Sequence, residues 1–443
     1  MKILNMKCTI CMLLLSTILI STNIIYVSAY TNINFKNISG QDGLPQGTIE
    51  TIIQDDKGYM WLGTNDGLCR YNGYEFKVYK HDEDLKNSIT NNYIIDIKQD
   101  KSGNIWVGTA NGLSKIDSNT DLITNYNIND KQKGLSNYKI SDILITKSGD
   151  VLVATSDGLN IYDEKNDKFY RIFDKKNDLT SQYICSLAED ENQNIWVATN
   201  HGLDKIDIKN KKNIIKFKEG KGKFNISENY IYVVKYDKMG YIWAGSLKEG
   251  LNKIDINTNE VKQYKHDYRD EKSLPGNYIK DILRDSYGNL WVGTGSGLAK
   301  YNDKTENFIT YKNKIYDNTS LINDEIFCIL EDKSGLIWVG TYAGISMFYP
   351  SANIEHYKTD PFDKNSISEN SIHGIYEDKD GLLWVGTNSK GVNIINSKNN
   401  TIEHLNKKSK KYAISDDNIN DIVGIDNKIF IATKNGLNEL DKD

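Results

Sequence analysis

One motif, Asp-x-x-Gly-x-Ile-Trp-Val-Gly-Thr-x-x-Gly-Leu, returns along nearly the whole chain of 443 residues. Its clearest copies run from Asp100 to Leu113 and from Asp332 to Ile345. All seven tryptophans, Trp61, Trp106, Trp196, Trp243, Trp291, Trp338 and Trp384, hold the same place in it, and Leu152 and Phe430 hold that place in two degenerate copies. Neighbouring copies are spaced by 44 residues (Leu152 to Trp196) to 48 (Trp243 to Trp291). A repeat of this length is one supersecondary unit that cannot bury its apolar surface alone, so the nine units must stack on one another.

In the second unit the pattern predicts strands over Tyr93–Lys98, Asn104–Thr109, Leu113–Asp117 and Leu122–Tyr126, with turns at Asp100–Gly103 and Asn111-Gly112. No mature segment shows sustained helical spacing of apolar residues, so helices should be scarce. The fold class expected is all-β, a β-propeller of four-stranded antiparallel blades built from nine repeat units. Runs such as Ile105-Trp106-Val107 suit strands buried on both faces. The small residue two places after each Trp position (Gly63, Gly108, Ala154, Ala198, Gly245, Gly293, Gly340, Gly386, Ala432) marks a close approach of the adjoining sheet or of the hairpin. The Asp six residues before the Trp (Asp55, Asp100, Asp190, Asp237, Asp285, Asp332, Asp378) reads as a turn former rather than as a catalytic or calcium-binding carboxylate.

Charge excludes one class of partner. The net charge is −5, with 55 basic and 60 acidic residues spread along the chain, so nucleic acid is not expected. The first residues differ from the rest: Lys2 and Lys7 precede an apolar run from Thr9 to Val27 that ends at Val27-Ser28-Ala29. Residues 1–29 read as a signal peptide, with an uncleaved N-terminal membrane anchor as the alternative. In either case the remainder is extracytoplasmic, secreted or associated with the cell envelope. Cys69, Cys185 and Cys328 lie far apart without metal-ligand spacing and read as buried small hydrophobes. The six histidines are scattered, so no catalytic residue, metal site or cofactor is expected.

The stretches Asp42-Gly43-Leu44 and Ile53 to Gly73, the latter containing Asp55-Asp56-Lys57-Gly58-Tyr59-Met60-Trp61-Leu62-Gly63-Thr64-Asn65-Asp66-Gly67-Leu68, resemble the first repeat of the two-component regulator propeller family. The resemblance extends over essentially everything after residue 30. It implies the extracytoplasmic sensor region of hybrid sensor kinases and related receptors, with paired seven-bladed propellers, a β-sandwich module, a membrane span and an output domain. This sequence runs only to Asp443, without sandwich module, second span, kinase motifs or receiver domain, so the resemblance implies for it the sensor half and not the kinase. It is not expected to be an enzyme. The alternatives are a secreted scaffold or interaction propeller and, further off, a propeller enzyme akin to streptogramin lyases.

Ring closure stays open at this stage. The segment Ile33–Ile38 resembles a fourth strand and is the natural clasp. Paired with Ile345–Tyr349 it closes seven blades over residues 30–350, and residues 351–443 then carry repeats 8 and 9 as the start of an incomplete second propeller. Paired with Leu437–Leu440 it closes one nine-bladed ring. The hairpins between second and third strands should share one rim with the connections between blades. Within them His201, Lys248, Glu249 and Tyr342 depart most from turn chemistry, and with Asp66, Asn111 and Asp157 they are the ligand-binding candidates. The partners expected are a carbohydrate or other small-molecule ligand, a membrane-bound sensor kinase or other output protein, and a second copy of the chain as a dimer.

Overall fold

The computed structural model describes residues 33–350 except 128–133, 176–177, 209–213 and 221–223, and residues 357–442 except 362, 398, 400 and 411. The proposed leader lies outside the described residues. Among these, no helix is long and apolar enough to cross a membrane. Among the described residues the only helix is a 3-10 turn, Gly40–Asp42, and everything else regular is strand. Nine antiparallel sheets follow in chain order, eight with four strands and the ninth with three. Sheet 2 is typical, with strands Ile94–Gln99, Ile105–Thr109, Gly112–Ile116 and Ile123–Tyr126, each within one or two residues of the boundaries the sequence predicts.

Seven of the nine sheets are organised by a Trp. The Asp six residues earlier caps its turn: Asp100 Oδ1 accepts the backbone N–H of Ser102 (3.0 Å) and of Asn104 (2.9 Å), while Oδ2 accepts the Trp106 indole N–H at 2.8 Å. All seven tryptophans make this bond. In five of these sheets a cation on the facing third strand covers the ring. Lys115 lies 5.3 Å from the Trp106 ring centre, and Arg70, Lys205, Lys253 and Lys300 repeat the contact. Sheet 3 lacks all three partners together, carrying Thr146, Leu152 and Ile161. Sheets 7 and 8 keep the Asp and the Trp but place Met347 and Ile394 opposite the ring, so the cation is the dispensable member.

Sheets meet through an Ile that opens every first strand: Ile49, Ile94, Ile140, Ile184, Ile231, Ile279, Ile326 and Ile419, all buried, and the partly buried Ile372. A Cβ on Gly108 would come within 2.7 Å of Ile140 Cγ2, and one on Gly245 within 2.5 Å of Ile279. The small residue after each Trp is therefore the socket for the next sheet's Ile.

The described chain forms two compact units. The first, Ile33–Ser351, contains sheets 1–7. Its N-terminal strand Lys36–Ile38 is the outer strand of sheet 7, with Lys36 opposite Met347 and Ile38 opposite Ile345. Phe35 is buried beside it, 5.1 Å from the Phe348 ring in an edge contact. The first strands of the seven sheets touch their neighbours in order, and that of sheet 7 touches that of sheet 1. At that junction Cys328 Sγ donates to the Ile49 carbonyl at 3.6 Å. The second unit contains sheet 8 and the three-stranded sheet 9 (Ile419–Ile425, Lys428–Thr433, Gly436–Asp441), which pack through Ile419 into the socket at Gly386.

Candidate functional site

Every first strand carries a β-bulge directly after its leading Ile, for example between Ile49 and Thr51 and between Ile231 and Val233. The bulged residue has no cross-strand partner, so its side chain is re-aimed out of the sheet. In sheets 1–7 these residues are Glu50, Ile95, Ser141, Cys185, Tyr232, Lys280 and Phe327. The residues just before the Ile are Thr48, Tyr93, Lys139, Tyr183, Tyr230, Tyr278 and Glu325. Side chains from sheets that are not neighbours come within electrostatic range of one another here. Glu50 of sheet 1 is influenced by Lys280 of sheet 6, and Tyr232 of sheet 5 by Glu50 and by Tyr93 of sheet 2. Groups so far apart around the cycle share only its axis, so they line one axial mouth.

The mouth is aromatic with fixed charges. Tyr232 and Tyr278 meet edge to face at 5.2 Å. The Lys280 ammonium, nearly buried, lies 3.8 Å from the Phe327 ring centre and 4.7 Å from that of Tyr278, and pairs with Glu325 at 3.2 Å. Tyr93 donates its phenol proton to Glu50 Oε1 at 3.3 Å. Burial raises the Glu50 carboxyl above its ordinary range, against the pull of Lys280. Burial also pushes the Cys185 thiol up to about 12, and raises the phenols of Tyr232 and Tyr278. The thiol and the phenols therefore stay protonated and serve as neutral hydrogen-bonding partners. Cys185 differs from the sequence expectation: it is half-buried at the mouth, whereas Cys69 and Cys328 are fully buried in packing.

Further along the first strands lies a polar layer in which Asp96 is buried and the other members are partly exposed. Lys98 Nζ bonds both oxygens of Asp96, at 2.6 and 2.7 Å, and Lys235 pairs with Asp281 at 3.3 Å. Burial, and next the neighbouring Asp96, push Asp142 up to about 7. Burial also works on Asp96, but Lys98 and a hydrogen bond from Asp142 outweigh it and hold that carboxyl low. Asp96 and Asp142 thus titrate as a pair, with one carboxyl held low and the other raised. Among the described residues no group of three or more His, Cys, Asp or Glu could hold a metal ion.

The sequence-derived candidates lie in the hairpins around this mouth. Hairpin N–H groups bond the carbonyls of the residues just before the first strands, as Ala110 does to Tyr93 and Tyr342 to Glu325, both at 3.1 Å. The hairpins therefore share the mouth's end of the unit. Asp66 pairs with Lys80 at 2.6 Å, Asp157 with Arg171 at 2.9 Å and Glu249 with Lys265 at 2.5 Å, each within its own sheet. The N–H groups of Asn111 and His201 bond the threonines that begin their hairpins, and that of Lys248 bonds Glu228 at 2.8 Å. His201 Nδ1 sits 2.7 Å from Asn200 Oδ1. Tyr342 is 59% exposed, and its N–H bonds the carbonyl of Glu325, a residue of the mouth. Sequence reasoning missed the axial set itself. The available signal was variation at the two positions flanking the recurrent Ile, twelve residues before each Trp.

The model of the two-component regulator propeller matches residues 43–66, 88–111, 178–201, 273–296, 320–343 and 366–389. Histidine kinase P4 of Formosa agariphila is 38% identical over 60 residues, which is 14% of this chain and 4% of that protein. Among solved structures, the extracellular domain of the putative hybrid two component system BT3049 from B. thetaiotaomicron superposes with a TM-score of 0.72 at 21% identity. That match covers 92% of this chain and 53% of the other, so the chain spans about half that domain's length. Virginiamycin B lyase from Staphylococcus aureus superposes with a TM-score of 0.52 at 15% identity, over 72% of this chain and 98% of its own. At these identities the likeness to solved structures is one of fold.

Proposed function

From the premise that the chain is built of two-component regulator propeller repeats, we propose that it is the ligand-sensing, extracytoplasmic part of a two-component-type receptor, and that sheets 1–7 act as a seven-bladed ring. Its ligand, a carbohydrate, enters the axial mouth. The observation carrying this reading is the convergence of Tyr232, Tyr278, Phe327, Glu50, Lys280 and Glu325 from sheets 1, 5, 6 and 7 on one axis. Aromatic faces stack on the C–H faces of sugar rings, and the surrounding phenols and carboxylates exchange hydrogen bonds with hydroxyls. The fold shared with an extracellular receptor domain supports the location, and the reading assigns no chemical step to the mouth. A thermal-shift screen of the full chain against free oligosaccharides tests it. Saturable stabilisation with the sugar recovered unchanged is expected. No stabilisation by any sugar, or its consumption, would contradict the proposal.

A further inference from the structure

Sheets 8 and 9 meet through two unlike surfaces. The leading face of sheet 9, with Ile419, Ile422, Ile429 and Ile431, packs on the trailing face of sheet 8, with Trp384 and Val392. Each sheet also carries a face of the other kind. On the leading face of sheet 8, Ile375 holds the register position of Ile422 and is 62% exposed, whereas the residue at this position in each of the other eight sheets is at most 7% exposed. On the trailing face of sheet 9, Phe430 and Leu437 hold the positions of Trp384 and Val392. Leu437 is 68% exposed, against at most 1% for its counterparts in the other eight sheets. Val423 and Ile425 stand exposed on the same face as the half-buried Phe430. Two stacked repeats are too few to bury their apolar faces alone. The two uncovered faces are the complementary halves of the interface that the unit already makes between its own sheets, so one second copy of the unit covers both.

We propose that sheets 8 and 9 bind sheets 8 and 9 of a second copy of this chain about a twofold axis, with Ile375 of each copy packed on Phe430 and Leu437 of the other. Each copy contributes one leading and one trailing face, so the two new junctions are identical and repeat the packing of Ile422 on Trp384 and Val392. Four sheets then close a cycle, within the range of blade numbers that propellers use, and neither apolar face remains in water. The inference stands apart from whatever the axial mouth of sheets 1–7 binds.

Sedimentation velocity on the full chain tests this. The protein should sediment at twice the mass of one chain, and the thermal transition of the unit holding sheets 8 and 9 should rise with protein concentration. Ile375→Asp and Leu437→Lys alter side chains that are exposed in the single copy, and each places an unpaired charge in both junctions, so each alone should halve the mass. Mixing the two variants should restore the dimer, because one junction then pairs the new carboxylate with the new ammonium while the other is that of the unaltered chain. Tyr316→Asp, in the exposed connection between sheets 6 and 7, should leave the mass unchanged. A monomer at every concentration, an open-ended polymer, a dimer that survives both substitutions, or a mixture of the two variants that stays monomeric overturns the inference.

Discussion

Asp204 holds the third-strand position where other sheets carry Asn160, Asn252, Asn393 and Asn438. Those asparagines donate to a second-strand carbonyl, as Asn160 does to Val153 at 3.2 Å and Asn252 to Ala244 at 3.1 Å. An ionised aspartate cannot donate. Asp204 Oδ2 accepts the N–H and hydroxyl of Thr180, but its buried Oδ1 has no hydrogen-bond partner. Burial accordingly pushes its pKa up to about 6. The folded state then binds this proton more tightly than the unfolded state, so stability falls as pH rises from about 4 through about 6 and stays lower above that. Asp204→Asn should remove that dependence and stabilise the protein above pH 6 by about 2–3 kcal/mol. Urea unfolding of both forms across this pH range measures it, and parallel pH profiles would refute the assignment. The sequence shows the aspartate but not its burial. Its neighbours by register lie in other strands, and a register cannot be read from one repeat until the hairpins are placed.

At the scale of elements, the recurrent framework was legible because nine copies average out local ambiguity. The turn Asp, the Trp and the small residue sit where the pattern put them, and the second role of the Asp, anchoring the indole N–H, emerges only from geometry. The axial mouth was not legible for the opposite reason. Its residues differ from sheet to sheet, and the bulge that turns them inward breaks the strict alternation on which strand patterns rest. The clasp shows how much one short strand holds. Beyond its backbone pairing, Asn37 Nδ2 donates to the Ser320 carbonyl at 3.0 Å, and Ser346 Oγ donates to Asn37 Oδ1 at 2.7 Å. Phe35 is buried against Phe348 and Tyr311. Phe35→Ala should cost about 3–5 kcal/mol. It should also speed amide exchange in Gly344–Phe348, the strand the clasp covers. Unchanged exchange there would mean the clasp contributes little.

For the whole molecule, the division into two compact units implies two cooperative transitions in calorimetry, and Phe35→Ala should lower only the one belonging to Ile33–Ser351. A single transition shifted as a whole would contradict that independence. Within the larger unit, seven first strands meeting in a cycle bring side chains from distant parts of the chain to one axis, on a frame fixed by buried Trp and Ile. Such a frame holds a binding site without any one repeat encoding it. The most direct test is calorimetric titration of the full chain, Tyr232→Ala and Lys248→Ala with the oligosaccharide that stabilises the protein best. Tyr232→Ala should weaken binding by about ten-fold or more, the loss of one aromatic platform, while Lys248→Ala on the hairpin rim should leave it unchanged. Binding that survives Tyr232→Ala and is lost in Lys248→Ala would place the site on the hairpins and contradict an axial mouth.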